Sequence, residues 1–335
     1  MLNAILQATF DDDVFGEDAC TRRLEAAVAE MCGCEDACFA MTGTMANQVA
    51  LRVLLDQPPY SLLADQRAHL VNYEAGGPAY LTGAMIQALM PANNLYLTLE
   101  EIKSRATISD DVAKAPTRVI SLENTAHGAI APLAEMQRIS AWAREHDIRL
   151  HLDGARLFEV VAAGAGTMRD FCTLFDMVTI DFSKNLGAPI GTLVLGSHAR
   201  VTRARRVRKA IGGGLRPAGI ITVMMRAAIE ENFGWEGSGE RAHGLRRAQQ
   251  MAKRLGLEWQ QRGGTLLRDV ETNIVWLNIG AAGYSTGAFV EVGARHGLKL
   301  DGGRLVVNYQ MSEDTVQRIL QVFDVVLMVN KDQAH

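Results

Sequence analysis

Hydrophobic positions along the chain change period in an orderly way. Residues 20–31, CTRRLEAAVAEM, repeat apolar side chains at the three- and four-residue spacing of a helix. The stretch 37–55, ACFAMTGTMANQVALRVLL, runs from a short apolar strand through Thr42-Gly43-Thr44 into a second helix. Four strand-like runs follow, at 117–124 (TRVISLEN), 148–153 (IRLHLD), 177–182 (MVTIDF) and 191–196 (GTLVLG). Between the first two, Pro132 opens a helix with Leu133, Met136, Ile139 and Trp142 near one face. The interval from Asp153 to Met177 has room for another helix. Strands alternating with helices predict an α/β fold with a doubly wound, mostly parallel sheet. Such sheets gather their functional groups beyond the carboxyl ends of the strands.

The second half changes character. A helical run at 218–233 and a basic helix over 238–261 lead to a strand at 272–280. A helix at 285–295, a strand at 304–309 and a last helix from Asp314 complete a small α+β C-terminal domain. The expected division is a large domain over 1–237 and a small one over 238–335.

Composition narrows the function class. The 335 residues are 48% hydrophobic and 21% charged, enough to bury a large core. A net charge of −4 gives no reason to expect nucleic acid or a membrane surface as partner. No apolar stretch reaches the ~18 residues of a membrane span. The N-terminus lacks a basic segment followed by a long apolar core, so the expected location is cytoplasmic. Cys32, Cys34 and Cys38 lack a second ligand pair of zinc-site spacing, and the total of five cysteines is odd. They are read as structural thiols, with no metal expected.

Candidate chemistry collects at the strand ends: Glu123-Asn124, Asp153 and Lys184. Upstream, Thr42-Gly43-Thr44 at a helix start offers backbone amides and a hydroxyl to a phosphate. It is neither a P-loop nor a G-x-G-x-x-G turn. Lys184, in TIDFSKNLGAPIG, could simply cap a strand at the surface, and Asp153 could simply cap the helix that begins at GARLF. Together, however, a phosphate cradle, an acid and a lysine suggest pyridoxal 5′-phosphate. That cofactor needs an amine for a Schiff base, a carboxylate for its pyridine nitrogen and a phosphate anchor.

SLENTAHG, LHLDGARLFE, SKNLGAPIGTLVLG and RKAIGGGLRPAGI, in that order, resemble the threonine aldolase family of fold type I enzymes, and most closely its fungal members. The resemblance covers almost the whole chain and implies a seven-stranded sheet of the pyridoxal-phosphate-dependent transferase type. It makes Lys184 the Schiff-base lysine, Asp153 the partner of the pyridine nitrogen, and Gly43 and Thr44 the phosphate loop. His69 becomes the imidazole stacked on the cofactor ring, and Arg156 and Arg304 bind the substrate carboxylate. Lys209 and Arg216, in the basic stretch 203–216, are given phosphate or subunit-interface roles; the rest of that stretch reads as a solvated or subunit-contact face.

The implied reaction cleaves a β-hydroxy-α-amino acid, threonine or allo-threonine, to glycine and an aldehyde. His69 and His127 manage the hydroxyl proton. A homotetramer or dimer with sites near subunit interfaces is implied as well. Three departures from the family pattern stand out. Nothing before Asp11 matches the SDT-type segment of many members, so the chain is expected to start later than they do. Phe15 stands where many carry tyrosine, and Ala126-His127 displaces an imidazole by one position relative to bacterial members. An amino-acid racemase acting on alanine therefore stays open as the alternative; a racemase needs no hydroxyl activation, which suits Phe15.

Overall fold

The computed structural model describes residues 1–109 and 111–332, with side chains through Leu327. It divides into two compact units, residues 1–126 with 130–242 and residues 127–129 with 243–335. The first unit is built on seven strands: β1 (Asp36–Ala40), β2 (Ser61–Asp65), β3 (Met85–Leu89), β4 (Thr117–Glu123), β5 (Arg149–Gly154), β6 (Met177–Asp181) and β7 (Thr192–Gly196). Their order in the sheet is β1-β7-β6-β5-β4-β2-β3, and β7 alone runs antiparallel to its neighbours. The expected mostly parallel, seven-stranded α/β sheet is therefore present. Two of its strands carry little signal in sequence. β2 is five residues long, and β3 is an edge strand with Met85 facing solvent.

Each face of the sheet has its own apolar layer, as the two-residue period of a strand requires. Leu62, Val119, Met177 and Val194 pack with Ala46, Val49 and Ala50 of the helix Gly43–Leu54. Leu63, Ile120, Leu122 and Leu150 pack with Ile139 and Trp142 of the helix Leu133–Glu145, which Pro132 caps. On the first face the apolar set gives way to polar residues toward the carboxyl ends. Ser121, His151 and Met177 lie in register across β4, β5 and β6, followed by Glu123, Asp153 and Thr179. β6 stops at Asp181, three residues before Lys184, because the Asp181 carboxylate accepts the Ser183 N–H (3.0 Å) and bends the chain into a turn.

The basic helix His198–Ala210 keeps an exposed face that includes Arg203, Arg206 and Lys209, but several of its other arginines are tied inward. Arg205 is paired through both terminal nitrogens with Glu25 (3.1 and 2.8 Å), and Arg200 with Asp176 (2.7 Å). Arg208, 2% exposed, donates to the Phe39 carbonyl and meets Asp13, 3% exposed, at 2.8 Å. Arginine serves here as an internal tie because its guanidinium can meet a strand carbonyl and a carboxylate at once. All five cysteines are free, and burial pushes the Cys34 and Cys38 thiols up to about 12, where they are inert. No helix among the described residues is long and apolar enough to cross a membrane.

The second unit pairs β8 (Ile274–Trp276) antiparallel with β9 (Arg304–Val306), beside the helices His243–Gln261, Thr286–Arg295 and Glu313–Asp332. Its core includes Phe289 and Trp259, the latter set edge-on against Phe323 at 5.0 Å.

Burial raises the Asp13 carboxyl above its usual range despite the Arg208 and Arg205 charges, so desolvation outweighs attraction at this pair. Arg208→Met alone is expected to cost about 3–5 kcal/mol by stranding Asp13, and adding Asp13→Leu should restore most of it. Urea unfolding of the single and double variants measures both, and a double variant as unstable as the single would refute the account.

Candidate active site

The carboxyl ends of β5 and β6 bring together the residues singled out there. Lys184 sits in the turn after β6, 39% exposed, with Nζ 3.6 Å from the Asp181 carboxylate. Asp153 is nearly buried; its Oδ1 accepts the Ala155 N–H (3.0 Å) and its Oδ2 the Asn47 amide (2.8 Å). His69 opens the short helix His69–Asn72 and keeps a 46% exposed ring, with Nδ1 2.9 Å from Glu74. The charges of Asp153 and Lys184 both act on this imidazole, and the Asn47 amide ties Asp153 to Glu74, the partner of His69. Glu74 is the main reason that the His69 pKa is raised above its ordinary value, with Asp153 adding to the shift and burial and Lys184 opposing it.

Asn47 is the hub of the site. Both of its amide protons go to carboxylates, Glu74 Oε1 and Asp153 Oδ2, each at 2.8 Å. Its Oδ1 accepts the Thr179 hydroxyl (2.8 Å). The amide cannot be reversed, since its oxygen would then face two carboxylates. Gln48 donates to the second Glu74 oxygen at 2.5 Å. Glu123, in register with Asp153, accepts the His69 backbone N–H at 2.5 Å. Burial first, then the Asp153 charge, lifts its carboxyl well above the usual range.

Gly43 and Thr44 form the first turn of the helix Gly43–Leu54, where Thr42 caps by accepting the Met45 N–H (3.1 Å). The glycine loop 212–214 closes over this turn. A Cβ on Gly213 would stand 2.6 Å from Met45 Sδ, and one on Gly214 3.0 Å from Lys209 Cδ, so only glycine lets the loop approach. Lys209 thereby lies beside that loop, exposed. Arg216 pairs with Asp12 (2.8 Å) and stacks over the Phe15 ring at 5.0 Å. Arg156 directly follows β5 as the N-cap of the helix Leu157–Ala162. An amine, a buried but hydrogen-bonded carboxylate, an imidazole and a helix start fit a phosphorylated pyridine aldehyde in type and number. Among the described residues no cluster suited to a metal ion occurs.

The other two candidates belong to the second unit. His127, at φ +54°, uses its carbonyl to accept the Trp276 indole N–H (2.8 Å), with the rings edge-on at 6.3 Å. The Arg304 guanidinium lies 5.8 Å from the Trp276 ring centre, and that of Arg268 at 5.2 Å. Trp276 thus gathers His127 and Arg304, which are far apart in sequence.

Residues 1–282 match the family described as Beta-eliminating lyase. The chain belongs to this family. Within it, the chain is 46% identical over 327 residues to an alanine racemase of Cochliobolus carbonum, covering 98% of this chain and 84% of that protein. It is 41% identical over 322 residues to a low-specificity L-threonine aldolase of Eremothecium gossypii, covering 96% and 82%. The solved threonine aldolase of Leishmania major superposes with a TM-score of 0.80 at 19% identity, over 97% of this chain and 95% of that one. The fold is fold type I, as the motifs implied.

Asn47, Gln48, Glu74, Thr179 and Trp276 carry no motif that marks them, and sequence reasoning passed over all five. The one usable signal was a Glu five residues after a candidate histidine, in HLVNYEAGG. His151, fully buried beneath Asp153, shares a 2.8 Å hydrogen bond with Ser121, and burial drops its pKa to about 4. The unfolded chain takes up this proton near pH ~6.5, while the folded protein resists it down to about 4, so stability falls as pH drops through that window. His151→Leu is expected to lessen the loss of unfolding free energy between pH 7 and 4.5 by roughly 2–3 kcal/mol. Urea titrations at the two pH values test this, and parallel losses in both proteins would refute it.

Proposed function

We propose that the chain is a pyridoxal-phosphate-dependent carbon–carbon lyase that cleaves L-threonine and L-allo-threonine, β-hydroxy-α-amino acids, to glycine and acetaldehyde. The observation that carries this reading is the convergence of the Lys184 amine, the buried Asp153 carboxylate and the His69 ring at the ends of neighbouring strands. Several fungal relatives described as low-specificity L-threonine aldolases, 35–41% identical, support it.

When bound, pyridoxal phosphate supplies an electron sink for the pair released as Cα–Cβ breaks. Lys184 would hold the cofactor through its side-chain amine. Asp153, with its carboxylate oriented by Asn47 and Ala155, keeps the pyridine nitrogen protonated. The amides of Gly43 and Thr44, with Lys209 beside the glycine loop, take the phosphate. Arg216, tied to Asp12 and Phe15, is assigned to a neighbouring position at a subunit interface. Arg156 and Arg304 fix the substrate carboxylate and so choose which Cα bond is broken. The His69 ring, oriented by Glu74 at Nδ1, would stack on the cofactor ring. His69 and His127 would manage the substrate hydroxyl proton. The proton balance closes when Cα is reprotonated to give glycine. A homotetramer, a role in glycine supply and a cytoplasmic location belong to the same reading.

A second reading, alanine racemase, is favoured by the 46% identity to the Cochliobolus enzyme and by Phe15 in place of a phenol. Incubation with L-threonine, L-allo-threonine and L-alanine in parallel separates the two. Acetaldehyde with glycine is expected; D-alanine from L-alanine, with no aldehyde from the other two, would overturn the aldolase. In both cases Lys184→Ala should remove the visible absorbance, near ~420 nm, of the lysine-bound cofactor.

A further inference from the structure

We infer that Glu74 is the positioning residue of this site: one buried carboxylate sets the His69 imidazole directly and the Asp153 carboxylate through the Asn47 amide. The inference rests on the proposed cofactor reading for what those two side chains serve, but not for the geometry itself. The Glu74 side chain is wholly buried, and three groups share its two oxygens: His69 Nδ1 at 2.9 Å and Asn47 Nδ2 at 2.8 Å on Oε1, and Gln48 Nε2 at 2.5 Å on Oε2. Asn47 and Gln48 are neutral amides, so the imidazole is the one of these three partners able to carry a positive charge. A buried carboxylate so placed holds the proton on Nδ1 and leaves Nε2 as the outward nitrogen.

The local chain is shaped for this placement. Ala75 and Gly76, which follow Glu74, both adopt left-handed backbone (φ +52° and +71°), a conformation that costs a residue with a Cβ about 1–2 kcal/mol. A Cβ on Gly77 would fall 2.8 Å from the Gln48 amide, so glycine is what lets the turn close on the helix Gly43–Leu54. The groups facing His69 are Glu74 from its own segment, Glu123 from β4 through its backbone N–H, Asp153 from β5 and Lys184 from the turn after β6; the Tyr73 ring stands 5.6 Å away. Of these, Glu74 contributes most to the raised pKa. Because the folded pKa lies above the unfolded one, the stabilisation is full below ~6.5 and fades as pH rises through the folded value.

The test uses the full chain without cofactor. Histidine NMR titration, with the His69 resonance assigned from a His69→Gln spectrum, should place His69 above the ordinary ~6.5 in the wild type and at lower pH in Glu74→Gln. Wild-type titration at or below the ordinary value overturns the inference even if the variant fails to fold, and an unchanged pKa in a folded Glu74→Gln overturns it too. Binding of 4′-deoxypyridoxine 5′-phosphate, which has the ring and phosphate but no aldehyde, reads the Asp153 arm. Glu74→Gln should weaken it roughly tenfold or more, with Glu74→Asp recovering part. Equal binding by wild type and Glu74→Gln overturns that arm. A wild type that does not bind this probe, yet shows the NMR shift, defeats the cofactor reading while leaving the Glu74–His69 geometry intact.

Discussion

Four neighbouring strands of one sheet, β6, β5, β4 and β2, carry a carboxylate at or next to their last residue: Asp181, Asp153, Glu123 and Asp65. Parallel strands lie close together, so these acids would repel one another strongly in a half-buried site. Each is accommodated differently. Asp65 takes the Arg67 guanidinium (2.7 Å), Asp181 takes Ser183 and faces Lys184, and Glu123 is pushed well above the usual carboxylate range by burial. Asp153 accepts from neutral donors, the Asn47 amide and the Ala155 N–H. The charge pattern of the site follows from how these four acids are told apart.

Glu123, Asp153 and Lys184 were legible because strand ends concentrate such groups, and an apolar run that stops at a charged residue is visible in one dimension; Asp65 and Asp181 were not singled out. β4, β5, β6 and β7 were legible for the same reason. The hub was not. Asn47 joins partners 27, 106 and 132 residues away, and on its own helix it reads as an unremarked polar position. Trp276 reads as core, although its indole N–H reaches a carbonyl 149 residues earlier. One arginine of the basic helix departs from its exposed neighbours: Arg208 is buried because the Phe39 carbonyl and the Asp13 carboxylate are brought to it only in the fold.

Aldolase and racemase chemistry ask for the same beginning, a lysine-held cofactor with a protonated ring and a fixed substrate carboxylate. They part only at the bond to be broken. A shared fold therefore does not by itself choose between the two reactions.

Residues 127–129 leave the first unit for three residues and belong by their contacts to the second. The Gly128 carbonyl accepts the Thr272 hydroxyl (2.8 Å), and a Cβ on Gly128 would strike Ile274 at 2.8 Å. During synthesis, at about 5–20 residues per second, this loop emerges roughly 7–30 s before its partners exist. Three residues that belong by their contacts to the C-terminal unit thus lie in the earlier part of the chain. Closing so long a loop late makes the last stage of folding non-local, and a fragment beginning at residue 243 would lack those three residues.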